Sequence, residues 1–173
     1  MDYPSNEDLR REAAKRNALH RNAGQPHQWA GDDLEDGNSD YIGLLGEREF
    51  DSRYGLPMDL TARVNGDSHD GILPTKHGPV RFDVKTYRKP VHLLAEARRC
   101  KGRTMYILVK YWEKEDRAEL LGWQWGKFLM ESPARDFGGK GIISYGCLAS
   151  KLRPIKEIDE VALWQTGTAS SKH

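Results

Sequence analysis

The stretch Arg81-Phe82-Asp83-Val84-Lys85-Thr86-Tyr87 changes side-chain character at every step, the two-residue period of a half-buried β-strand. Phe82, Val84 and Thr86 fall on one face; Arg81, Asp83, Lys85 and Tyr87 fall on the other. An acid and a base therefore stand side by side, one strand repeat or roughly 7 Å apart. Asp70 comes earlier, in His69-Asp70-Gly71-Ile72-Leu73, which reads as a turn entering a second short strand. A hairpin from Ile72 through Pro74-Thr75-Lys76-His77-Gly78-Pro79 to Val80 brings Asp70 and Asp83 together.

Working outward, Asp40 is a plausible N-cap for a helix through Tyr54, closed by Gly55. Leu44, Glu47 and Asp51 share one of its faces, and Leu45 and Glu49 another. Such a helix can aim a carboxylate at a sheet edge. Met58 to Val64 fits a strand, ended by the turn Asn65-Gly66-Asp67-Ser68. Downstream, Pro90 marks a break, after which Leu93, Leu94, Ala97 and Cys100 recur at helical spacing up to Gly102. Met105 to Trp112 is the most strand-like run, and a polar turn leads to a further strand from Ala118 to Trp125. A short helix over 126–131, edge pieces at Ile142–Tyr145 and Leu152–Ile155, and a last helix over 157–164 complete the reading. Helices and strands interleaved in one small domain predict an α/β fold around a mixed sheet.

The chain of 173 residues is long enough for one sizeable core. Residues 1–39 read as an amphipathic helix, with Leu9, Ala13, Ala14 and Ala18 as a thin stripe, followed by a Gly- and Asp-rich linker. The expected domain covers residues 40–164, with a disordered tail at 165–173. No apolar run approaches the roughly 20 residues that span a bilayer, and no secretory layout opens the chain. Cys100 and Cys147 have no CxxC spacing, which excludes a zinc ribbon. An intracellular (cytoplasmic) protein is expected, with no membrane partner. The net charge of +1 conceals an asymmetry. Residues 1–60 carry 13 acidic and 7 basic side chains, whereas residues 81–110 carry 9 basic and 2 acidic ones. A positive field beside clustered carboxylates suits a polyanion brought to a metal. Arg88, Lys89, Arg98, Arg99 and Lys101 are the expected contacts to backbone phosphates.

Phosphodiester cleavage needs a nucleophilic water, charge relief on the phosphate and help for the leaving oxygen. Mg²⁺ takes hard oxygen ligands, often one or two carboxylates, and keeps several waters. Asp70 and Asp83 are the expected ligands, joined by the Val84 carbonyl, with Glu47 completing the shell directly or through water. Lys85 can orient the attacking water or stabilise developing charge. Trp112, Trp123 and Trp125 read as core and rim aromatics rather than base-stacking platforms. His69, His77 and Asp70 could bind a transition metal, but His77 sits in a Gly-Pro loop and no fourth ligand is evident.

With Glu47 on a helix, then Asp70, then Asp83-Val84-Lys85 on a hairpin, the chain resembles the PD-(D/E)XK nuclease superfamily, which has the restriction-endonuclease-like fold. The resemblance covers roughly residues 40–130. It implies a mixed central β-sheet flanked by helices and Mg²⁺-dependent DNA endonuclease activity, with Mn²⁺ as a substitute. By position, Asp70 and Asp83 match the two motif acids, Lys85 the lysine and Glu47 the first-helix acid. Glu49 competes with Glu47, Asp67 competes with Asp70, and His69 stands where the nominal proline would be. Duplex or branched DNA and a homodimer are the partners implied. Two other readings remain: a DNA-binding module of the same fold that does not cut, and an interaction adaptor using the acidic N-terminal arm.

Overall fold

A computed structural model describes residues 2–22, 38–60 and 69–163. Two helices come first, α1 (Asn6–Asn22) and α2 (Asn38–Tyr54). The strands are β1 (Gly71–Leu73), β2 (Val80–Tyr87), β3 (His92–Glu96), β4 (Thr104–Trp112), β5 (Arg117–Trp125), β6 (Arg135–Asp136) and β7 (Ile143–Leu148). Short helices α3 (Gly126–Leu129) and α4 (Lys156–Asp159) lie among the later segments. Among the described residues, no helix is long and apolar enough to cross a membrane.

β1, β2, β4 and β5 form one sheet in that order. The expected hairpin is present: β1 and β2 run antiparallel, with Gly71 opposite Phe82 and Leu73 opposite Val80. β2 and β4 are parallel, while β4 and β5 are antiparallel, so the sheet is mixed. β3, β7 and β6 make a second, antiparallel sheet. β4 is buried on both faces, as a central strand must be. Met105, Ile107, Val109 and Tyr111 join the core under the helices, and Tyr106 and Leu108 join a smaller one with Leu93, Ala95, Cys100 and Leu129. The molecule thus has α1 and α2 over one face of the central sheet and the small sheet over the other.

α2 is anchored by Ile42, Leu44, Leu45, Phe50 and Tyr54, all buried, and stops where Gly55 takes φ 67°. It begins two residues before the expected cap, so Asp40 lies in its first turn, where a negative charge favours the helix dipole. Gly46 brings α2 against β2. A Cβ there would collide with Thr86 Oγ1 and stand 3.3 Å from Val84 Cγ1. α1 is seated on the domain rather than hanging from it, because Leu9 and Ala13 enter the main core. Asp116, at φ 49° in the β4–β5 turn, fastens it. The Asp116 carboxylate accepts hydrogen bonds from Asn6 (2.9 Å), Arg10 (2.5 Å), Tyr41 (2.8 Å) and Tyr111 (3.0 Å).

One expected helix is absent. Residues 92–96 form β3, with Leu93 and Ala95 buried and His92, Leu94 and Glu96 facing the other way. The helical spacing of Leu93, Leu94, Ala97 and Cys100 yields to pairing with β7, which offers a full ladder from His92–Leu148 to Glu96–Ser144. The parallel β2-to-β4 crossover, ordinarily made by a helix, is therefore made by a strand and a turn. Of the expected strand at 58–64, residues 58–60 are irregular. Its remainder, the following turn with Asp67, the linker at 23–37 and the tail from 164 lie outside the described residues.

Candidate active site

The site forms where β1 gives out. β1 ends its pairing at Gly71, and the Asp70 N–H donates to the Phe82 carbonyl (2.9 Å) as the last rung. The next donor on that edge, the Val84 N–H, is taken by the Asp70 side chain, Oδ2 accepting at 2.6 Å. A strand residue that meets its antiparallel neighbour through N–H presents its C=O to the same edge. The Val84 carbonyl therefore faces outward beside the Asp70 carboxylate. Among the described residues, no strand runs along this side of β2 beyond Phe82.

Across β2, the alternation read from sequence holds. Phe82, Val84 and Thr86 are buried, and Asp83, Lys85 and Tyr87 are partly exposed. Lys85 Nζ lies 2.6 Å from Asp83 Oδ1. That oxygen is buried and meets the ammonium as an ion pair, without a well-angled hydrogen bond from any described donor. From the helical side, Glu47 comes close enough to sense the Asp83 and Lys85 charges. Burial pushes the Glu47 carboxyl up to about 7, with Asp51 and Asp83 adding to the rise and Arg16 of α1 opposing it. Glu49, the competing helix acid, is partly exposed.

Asp70 is exposed as a residue, yet its carboxyl end is withdrawn from water into the cluster. This desolvation raises it well above the ordinary carboxylate range, and the charges of Asp83 and Glu47 raise it further. Lys85 goes the other way. Burial alone would lower its pKa, but Asp83 and then Asp70 outweigh burial, so the ammonium keeps its proton across the physiological range. Asp51, one turn beyond Glu47, is a residue that the sequence reading left out of the site. It is 6% exposed, and burial followed by the Asp70 charge pushes it up to about 8. Its signal was present in the i, i+4 spacing from Glu47.

The donors gathered here are all oxygens, as Mg²⁺ prefers, and Asp83 Oδ1 is a buried acceptor with capacity to spare. Among the described residues, no three acidic, histidine or cysteine side chains form a metal-holding group. Asp70, Asp83 and the Val84 carbonyl are the groups here that could hold a hard dication.

The expected phosphate contacts are dispersed. Arg98 and Arg99 sit in the turn after β3, and both pair with Glu96. Arg88 lies 3.3 Å from Glu113. Lys89 and Lys101 are exposed. Cys100 is buried near the site, where burial raises its thiol pKa, and Cys147 is partly exposed.

Family models, curated proteins and solved structures offer no match to this chain.

Proposed function

We propose that the protein is a divalent-metal-dependent DNA endonuclease of the PD-(D/E)XK type. One observation carries the reading. Two carboxylates, a strand-edge carbonyl and a charged lysine converge at the open edge of β2, in the chain order Asp70, Asp83-Val84-Lys85. Asp70, Asp83 and the Val84 carbonyl would hold Mg²⁺ or Mn²⁺. When bound, such an ion supplies charge relief on the phosphate and acidifies a water. Lys85 stays an ammonium, so it acts as a donor that orients water or steadies charge on the phosphate rather than as a base. Glu47, at about 7 before metal binds, accepts a proton from the attacking water. Carboxylates held this close repel one another until a cation arrives.

The test is cleavage of supercoiled, linear and branched DNA in Mg²⁺, Mn²⁺ or EDTA, comparing wild type with Lys85→Ala. Metal-dependent cutting lost in the variant is the expected result. DNA binding without cutting in any metal would instead mark a binding module of the same architecture.

A further inference from the structure

Four cations lie at the end of the central sheet where the parallel strands β2 and β4 begin. Arg81, near the start of β2, pairs in register with Thr104, the residue that follows Arg103 and opens β4. The two strands lie about 4.8 Å apart. The turn carrying Lys101 and Gly102 leans on the start of α3. The Lys127 N–H donates to the Gly102 carbonyl (3.1 Å), and a Cβ on Gly102 would stand 3.5 Å from Lys127 Cβ. All four residues are exposed. Among the described residues, none of them takes part in a salt bridge, and Lys127 only covers the exposed ring of Phe128, at 4.8 Å.

This end of the sheet adjoins the site. Arg81 precedes Asp83 by one strand repeat and shares its face. The Lys101 N–H donates to Tyr106 Oη (3.1 Å), and Tyr106 is the register partner of Asp83. The Asp83 charge is felt at both Cys100 and Tyr106. The other basic cluster, Arg98 and Arg99, is already matched by Glu96. Cations without carboxylate partners retain the charge that a polyanion displaces counterions to reach.

From this placement we infer that Arg81, Lys101, Arg103 and Lys127 form the docking surface for the DNA phosphate backbone, delivering the strand to Asp83 and Lys85. The inference rests on the nuclease reading and names its substrate-binding surface. Because the contacts are to phosphate, they position the duplex without reading its sequence. Phe128, beside Lys127, offers an aromatic edge at the rim of the same surface.

The experiment is fluorescence anisotropy of labelled duplex and four-way-junction DNA, in EDTA and in Ca²⁺, over a series of KCl concentrations. The proteins are wild type, the combined Arg81→Gln, Lys101→Gln, Arg103→Gln and Lys127→Gln variant, and the Arg98→Gln, Arg99→Gln pair. Thermal melting verifies that each is folded, and single Gln variants replace the combined one should it melt early. The slope of log affinity against log salt should lose about 0.9 per phosphate contact removed on the duplex. An unchanged slope in the patch variants, or a loss carried by Arg98 and Arg99 instead, overturns the inference while leaving the nuclease reading in place. Binding with the expected slope loss but no cutting in Mg²⁺ or Mn²⁺ supports the surface and removes the nuclease. Wild type that binds neither DNA in either condition overturns both.

Discussion

Replacing Asp51 by Asn should stabilise the metal-free protein, and increasingly so as pH rises. The Asp51 carboxyl is 6% exposed and has a folded-state pKa of about 8 against an ordinary value of 3.8. Between those limits the unfolded chain is ionised and the folded one is not, so folding must take up a proton. Stability on this account is intact below about pH 4 and falls as pH rises towards 8. At pH 7 the interval is roughly 3 units, and at 1.36 kcal/mol per unit the ceiling is about 4 kcal/mol. Relaxation and water penetration reduce it, and about 2 kcal/mol is the working figure. For a chain of this size that corresponds to roughly 4–8 °C in Tm. Asn keeps the volume and the polar end but carries no ionisable proton. Urea denaturation in EDTA at pH 5, 6, 7 and 8 measures the difference directly. The variant's advantage should be small at pH 5 and widen steadily to pH 8. A gap independent of pH, or a less stable variant at pH 8, would show that burial and Asp70 do not act on this carboxyl as described.

Three further outcomes are expected. Asp83→Ala should abolish cleavage and the stabilisation that Mg²⁺ gives the wild type in thermal melts, while the fold persists by circular dichroism; retained metal stabilisation would remove Asp83 from the ligand set. Gly46→Ala should cost about 1–3 kcal/mol in denaturant melts, because its methyl meets Thr86 Oγ1 and α2 must lift from β2; a change within about 0.5 kcal/mol would contradict the close approach. Asp116→Ala leaves four donors from α1, α2 and β4 without their shared acceptor. It should destabilise by about 2–4 kcal/mol and open α1 to limited proteolysis; an equally resistant α1 would show that its apolar contacts alone hold it.

How far these elements were legible in the sequence follows from how local their causes are. β2, β4, β5 and α2 carry their burial pattern in their own residues, and two-residue alternation or a long apolar run is enough to place them. The β1–β2 hairpin follows from its own short loop. β3 could not be read this way. Leu93, Leu94, Ala97 and Cys100 satisfy a helical stripe, and only the ladder offered by β7, some fifty residues later, decides for a strand. The pairing of Asp70, Asp83 and Lys85 was visible because hairpin register is local. The place of Asp51 in the cluster depends on how α2 lies across β2, which rests on the close contact at Gly46. The fate of the arginines was hidden for the same reason: Glu96 reaches Arg98 and Arg99 only because residues 92–100 are a strand and a turn.

β4 is the common wall of both cores, and this bears on how the molecule opens. Its amides lie between β2 and β5, and its side chains are divided between the helical layer and the small sheet. Neither layer can be stripped away without exposing one face of this strand, so β4 should exchange its amide hydrogens only through global unfolding. The slowest-exchanging strand of the protein would thus run alongside β2, giving Asp83 and Lys85 a rigid backing on their inner side.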